Sequence, residues 1–363
     1  MKRQKTIFNR RVFFGIALLL MIVFIFGSAS AKTFKLTAGF GISADVLPFT
    51  KAVRDYWAPE IKKRVESRTE HKIDWTLHFT ASVVKLPDEF EAVCDGIVDV
   101  SMAFPIFENP ALFMHNFSYF APFGTSDIEQ ATKVNLKVYD MNPWLKEVFE
   151  RKHNQKWLAT FTYESYDLIT TFPVKSIEDL KGHKIAAAGP NLPWIKTIGC
   201  VPVQSIVTDA YTSLQTGVYE GWVLPVSASF SFKLYEVAKY FNWVGFGCIS
   251  AASLTMNLDV WNSLPKEVQD IILEVGSDYS MNVASNTKAL HDSAAAKMKE
   301  KGVHFFSFSD EEKKVWVKNL GTMANDRTKE ADKLGQPGTE IMKFYISEME
   351  RSGHKWPIRW VIK

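Results

Sequence analysis

The chain has 363 residues, with 43 Lys and Arg against 40 Asp and Glu, a hydrophobic fraction of 47% and only three cysteines. The opening MKRQKTIFNRR holds five of the basic residues and no acid; without it 38 basic residues face 40 acidic, which removes the electrostatic case for a nucleic-acid partner. No C-x-x-C and no metal-ligand spacing among the eight histidines occurs, so neither a metal nor another cofactor is expected.

A basic start, an apolar run from Val12 to Phe26 and small residues at Ala29 and Ala31 predict a signal peptide over residues 1–31, and with it a periplasmic location. The run is short for a bilayer span, which disfavours an uncleaved anchor. NRRVFF faintly resembles a twin-arginine signal, but the strongly apolar segment fits the general secretory route better. The remainder, roughly 330 residues, suits two lobes with separate cores.

FKLTAGF (34–40) alternates as a strand, and VLPFTKAVRDYWAPEIKKRVESRT follows as an amphipathic helix with Val53, Trp57, Ile61 and Val65 on one face. KIDWTLHF is a second strand, LPDEFEAVCDG a helix ended by Gly96, and VDVSMAF a third strand. This rhythm predicts an α/β sheet with parallel strands, whose C-terminal ends share one ligand-binding edge. Phe40 and Phe104, at two such ends, are candidate ligand contacts.

The middle repeats the pattern. KWLATFTYESYDLITTF is strand-rich, SIEDL a helical turn capped by Ser176, HKIAAA a strand and LPWIKTIG a helix with Asn191 at its N-cap. TDAYTSLQTG reads as a helix closed by Gly217, VYEGWVL as a strand, FSFKLYEVAKY as a helix and NWVGFGCISAASLTMN as a long extended segment. From Leu264 onward the chain is mainly helical, with one very long helix and two further amphipathic ones, the first opening at Ser309. Two α/β units joined by two extended crossovers describe a two-lobed clamshell. Lobe I is expected over about 32–157 plus part of 250–300, and lobe II over about 158–249 plus part of the C-terminal helices. Cys94, Cys200 and Cys248 lie in apolar surroundings that favour buried small hydrophobes over a disulfide, although one pair could bridge in an exported protein.

Ser82-Val83-Val84-Lys85 matches the S-x-x-K of penicillin-recognising enzymes, but its partner motifs are absent and it follows a strand instead of opening a helix. No H-E-x-x-H, G-x-S-x-G or Walker motif occurs, and no catalytic residue is nominated. A set of phrases in fixed order carries more information: EAVCDGIVDVSMAF, YFAPFGTSDIEQA, SIEDLKGHKI, GCVPV, YTSLQTGVYEGWVLP, LYEVAKYF and WNSLPKEVQDII. Together they resemble the substrate-binding proteins of tripartite ATP-independent periplasmic (TRAP) transporters, the DctP family.

The resemblance implies a type II periplasmic-binding-protein clamshell, without enzymatic activity, that delivers a small solute to membrane transporter subunits; a monomer is expected. A receptor that serves a sensor, or an exported enzyme on the same fold, are the alternatives. It also implies an arginine at the end of the strand after DLKG-K-I, holding an organic acid, and an asparagine after the D-G of a later strand. Here those positions read Ala186 and Leu224. Charge-assisted hydrogen bonds of that kind contribute roughly 1.5–3 kcal/mol each, about one to two decades of affinity. Lys85 and the free amides of the helix opening at Asn191 are substitute anion contacts, although Pro193 removes one of those amides. Alternatively the ligand is bulkier or more apolar, held in the room left by Ala186 and Gly189 between Tyr163, Tyr166, Trp194 and Trp222. Each of those aromatics has core packing as its plainer role. Glu164 alternates away from the tyrosines; facing the cleft, it would suit a ligand hydroxyl, amine or cation and repel a carboxylate.

Overall fold

A computed structural model describes residues 31–107 and 110–363; residues 1–30 of the expected signal peptide lie outside the described residues. The first sheet holds β1 (Thr33–Gly39), β2 (Lys72–His78), β3 (Val100–Ala103), β4 (Gln155–Tyr163) and β10 (Ile249–Asn257), in the order β2-β1-β3-β10-β4. The second holds β5 (Asp167–Thr170), β6 (Lys184–Ala187), β7 (Val201–Gln204), β8 (Gly221–Leu224), β9 (Tyr240–Trp243) and β11 (His304–Ser307), in the order β11-β9-β5-β8-β6-β7.

Both sheets are mixed. Pairs β1/β2, β1/β3, β6/β7 and β6/β8 are parallel, as the strand–helix rhythm predicts, but β10 runs antiparallel to β3 and β4, and β5 antiparallel to β8 and β9. The antiparallel strands are the crossovers and their continuations, which enter a sheet from the opposite lobe. The strand-rich middle is therefore two strands in different sheets. The chain leaves the first at Tyr163 and enters the second at Asp167, a little beyond the boundary expected near 157. It returns between Trp243 and Ile249.

These two links are bonded to each other. Gly247 N–H donates to Ser165 Oγ (3.1 Å), Phe246 N–H to the Tyr166 carbonyl (3.0 Å) and Gly245 N–H to Asp167 Oδ1 (2.8 Å). Gly247 has φ 96°, and a Cβ there would meet Gly124 N at 2.7 Å, so this position requires glycine.

The Lys266–Glu300 helix, 35 residues and about 50 Å long, braces both lobes. It lies on β4, where Ser280 Oγ donates to the Thr160 carbonyl at 2.6 Å. Gly276 permits the close approach, since a Cβ there would sit 2.4 Å from the Leu158 carbonyl. Further along, His291 contacts Trp243 of the second sheet, with ring centroids 5.5 Å apart. The segment opened by Ser309 is two helices, Asp310–Leu320 and Met323–Lys333, because Gly321 turns the chain at φ 58°. The helix expected over FSFKLYEVAKY starts earlier, at Val226–Ser231, and continues only as a short turn at Leu234–Glu236. Among the described residues no disulfide forms: Cys200 and Cys248 are buried, and Cys94 Sγ donates to the His153 carbonyl at 3.0 Å. No described helix is long and apolar enough to cross a membrane.

Candidate functional site

A cavity lies between the lobes, where the ends of strands from both sheets face one another. About 100 Å³ within it can be reached by the centre of a water molecule, room for a small molecule. Lobe I contributes Ile42, Leu47, Phe49, Leu86 and Phe104, and the crossover contributes Phe161, Tyr163 and Tyr166. Lobe II contributes Ala188, Ser205, Trp222 and Leu224, with Tyr119 completing the wall.

The period of two along the crossover explains its division of labour. Phe161 and Tyr163 face the cavity, while Thr160 and Thr162 point into the protein, where Thr160 Oγ1 donates to the Ala252 carbonyl and Thr162 Oγ1 accepts from Asn135. Phe49 stacks on Phe161 at 4.6 Å and meets Tyr163 edge-on at 6.1 Å. The tyrosine hydroxyls are paired: Tyr119 with Tyr166 at 3.1 Å, and Tyr163 with Ser227 Oγ at 3.3 Å. Burial, reinforced by the charge of Glu164, pushes the Tyr163 phenol well above its ordinary range, and burial lifts Tyr166 to about 12. Both remain protonated donors near neutral pH.

Of the residues singled out in the sequence, Phe104, Tyr163, Tyr166, Trp222 and Leu224 line this cavity together. Ala186 is fully buried in β6, level with Trp222 of β8 and in the same apolar cluster; its neighbour Ala188 forms the wall. Gly189 lies beside the Ile106 carbonyl, which a Cβ would approach only to 3.8 Å. Trp194 is a second layer behind the wall. It is fully buried, stacks on Tyr119 at 5.8 Å, and its indole N–H donates to the Tyr119 carbonyl at 3.0 Å. Phe40 is buried in the lobe I core, stacked on Phe79.

Lys85 is exposed and precedes the wall residue Leu86 without lining the cavity itself. Asn191 holds the N-cap position of the Leu192–Lys196 helix but makes no capping bond; its side chain is buried, with neither amide atom hydrogen-bonded. Glu164 turns away from the cavity. Its carboxylate accepts the Ser227 N–H at 3.1 Å and pairs with His291 Nδ1 on the long helix. Burial opposes charging of His291, but the contact with Glu164 outweighs it and its pKa is raised. Asp167, buried on the same side, is pushed up to about 7 by loss of hydration.

Sequence reasoning missed Phe49, Phe161 and Tyr119. Phe161 had a signal, since it sits two residues before Tyr163 on one strand. Phe49 and Tyr119 had none, because both belong to helical segments whose faces read as ordinary core.

Two mixed α/β sheets joined by paired crossovers, with a cavity between them, define a two-lobed solute-binding protein. Residues 52–330 match the DctP family of bacterial extracellular solute-binding proteins, family 7, and the chain belongs to that family, whose members are the solute receptors of TRAP transporters. It is 24% identical over 319 residues to the C4-dicarboxylate-binding periplasmic protein DctP of Rhodobacter capsulatus, covering 80% of this chain and 86% of that one. A solute-binding protein of Sulfitobacter is 28% identical over 114 residues, a match spanning 31% of this chain and only 34% of the relative. The fold superposes on a TRAP periplasmic solute-binding protein from Bordetella bronchiseptica with bound (R)- and (S)-mandelate, with a TM-score of 0.76 and 20% identity, covering 87% of this chain and 99% of that one.

Proposed function

We propose that this protein is the periplasmic receptor of a TRAP-type transporter and takes a small, ring-bearing solute into the interlobe cavity. The observation that carries this reading is the composition of the wall. Phe49, Phe104, Phe161, Tyr163, Tyr166 and Trp222 surround the space, with leucine in the wall at 224 and alanine buried behind it at 186, where the family resemblance implies an asparagine and an arginine. Stacking and apolar burial then do the holding that a charged clamp would do for a small dicarboxylate. Closure of the lobes about the links 164–166 and 244–248 presents the loaded form to the membrane subunits. An enzyme would need reactive groups at this cavity, and Ser82 and Lys85 of the S-x-x-K match are both exposed and outside it.

A thermal-shift screen of the chain from Lys32 onward tests the reading, with C4-dicarboxylates and 2-oxo acids set against aromatic acids, sugar acids, polyols and uncharged ring compounds. A ligand at a hundred times its Kd adds about 2.7 kcal/mol of stability. Shifts with ring-bearing compounds, lost in Phe49→Ala, are the expected result. A shift with small dicarboxylates alone, or improved binding in Ala186→Arg, would overturn the idea that bulk replaces charge here.

A further inference from the structure

The wall points to a narrower ligand class than its aromatic content alone. We propose that the cavity selects an uncharged, ring-sized solute with one hydrogen-bonding group, such as an alcohol, carbonyl or amide, and excludes organic anions. This inference rests on the reading of the interlobe cavity as the ligand site.

Three observations carry it. First, among the described residues the cavity lining includes no Lys, Arg, His, Asp, Glu, Asn or Gln; its polar side chains are the hydroxyls of Tyr119, Tyr163, Tyr166 and Ser205 and the indole of Trp222. A carboxylate that enters loses its hydration and finds no counter-charge, which is among the most costly transfers a protein can make. A neutral hydroxyl or carbonyl loses far less, and one hydrogen bond compensates it.

Second, the hydroxyls are already engaged in a way that leaves a limited offer. Tyr119 and Tyr166 share one bond at 3.1 Å, which uses one of their two protons and leaves one proton and free lone pairs. Tyr163 and Ser205 are likewise paired, Tyr163 with Ser227 Oγ at 3.3 Å and Ser205 with the Tyr219 hydroxyl at 3.4 Å, so what Tyr119 and Tyr166 leave free satisfies one neutral donor–acceptor group. It falls short of the several donors that a buried carboxylate needs.

Third, the ionised groups lie on the wrong side for an anion. Glu164 follows Tyr163 directly, and its charge adds to burial, the larger cause, in raising the pKa of both Tyr163 and Tyr166. A second negative charge in the cavity meets the same repulsion. The cation that answers Glu164, His291, is on the long helix behind the crossover, already paired, and is no part of the cavity wall. Asp167, also behind the crossover, supplies no positive charge either.

The test is isothermal titration calorimetry on the chain from Lys32 onward, near neutral pH, with probes matched in shape. Benzyl alcohol and benzamide are compared with benzoate, and cyclohexanol with cyclohexanecarboxylate. The expected result is binding of the uncharged member at least tenfold tighter. Tyr166→Phe is expected to weaken benzyl alcohol roughly fivefold, the loss of one hydrogen bond, and to leave toluene unchanged. Benzoate binding that weakens tenfold per pH unit above its own pKa also supports the proposal, since only the neutral acid then enters.

Carboxylates that bind as tightly as their uncharged partners, with affinity independent of pH, would overturn it. If none of these probes binds while an acid from the wider screen does, the ligand class is wrong and the receptor reading stands. If nothing in either panel binds, the cavity is not the ligand site and both readings fall.

Discussion

The two faces of the crossover make opposite use of polarity. On the cavity face, Phe161, Tyr163 and Tyr166 present rings and hydroxyls and no charge. On the other face, Glu164 and Asp167 are buried and ionisable, bonded to the Ser227 and Gly245 amides and, for Glu164, to His291 of the long helix. The same few residues thus build an apolar receptacle and a charged joint back to back. Buried charge adds specificity of geometry at a cost in desolvation, so it suits a joint that must hold one arrangement. A small-molecule site gains more from shape and apolar area. What separates the two is alternation along β4 as far as Tyr163 and then the irregular link 164–166, which turns Tyr166 back to the cavity and Glu164 and Asp167 away from it; distance does not separate them.

The largest expected effect concerns the layer behind the receptacle. Trp194→Ala empties a fully buried site that supports Tyr119 and accepts the Trp316 indole N–H at its carbonyl (2.7 Å). A loss of about 3–5 kcal/mol is expected in urea unfolding. A cost under about 1 kcal/mol would show that the wall does not depend on this layer.

Breaking the joint comes next. Glu164→Ala leaves the Ser227 amide and His291 without their partner, and because His291 is partly exposed the expected loss is about 2–3 kcal/mol, below the roughly 3–5 kcal/mol for breaking a fully buried pair. Glu164→Gln, which keeps an acceptor for Ser227, is expected to recover part of it. Equal losses in both variants would mean that the charge itself is what matters.

The joint also predicts a direction for pH. Asp167 is raised from 3.8 to about 7, and Glu89, buried under lobe I, from 4.5 to about 8, in both cases by loss of hydration. An acid with a raised folded pKa holds its proton in the native state when the unfolded chain has released it. Its contribution is full below the unfolded pKa and is lost as pH rises through the folded one. His291, also raised, acts in the same direction above its ordinary 6.5. Stability should therefore fall as pH rises from about 4 to about 8, by more than about 2 kcal/mol, read as a falling urea midpoint. Asp167→Asn and Glu89→Gln should each flatten the profile; an unchanged slope in both would place the titrating groups elsewhere.

The smallest effect sharpens the cavity side. Tyr163→Phe removes a hydroxyl bonded to Ser227 at 3.3 Å and should cost about 0.5–1.5 kcal/mol in thermal unfolding, with no change in its pH profile. A pH-dependent cost would tie the cavity hydroxyls to the charged joint and erase the separation between the faces.

Much of this was legible in the chain itself. Turn residues and apolar periodicity marked the strands Thr33–Gly39 and Lys184–Ala187 to within a residue at each end, because each is a short run bounded by glycine or a cap; for Gly221–Leu224 they marked the correct end but a start at Val218, three residues early. Period-two alternation separated Tyr163 from Glu164. Helix Val226–Ser231 was misplaced because VSASF carries no helical periodicity and gains its helix from packing on the long helix and the cavity floor.

The sequence by itself determined the order of elements, the two lobes and the family, since those follow from local patterning and the succession of short phrases. Only the tertiary structure decided which side chains meet. Phe49 against Phe161, Tyr119 against Tyr166 and Glu164 against His291 join positions dozens to more than a hundred residues apart. Local periodicity tells a residue which face of its own strand or helix it occupies; it carries no information about what stands opposite. That is fixed by how the sheets twist and where the long helix crosses them, and so the uncharged character of the cavity emerged only once both lobes were assembled.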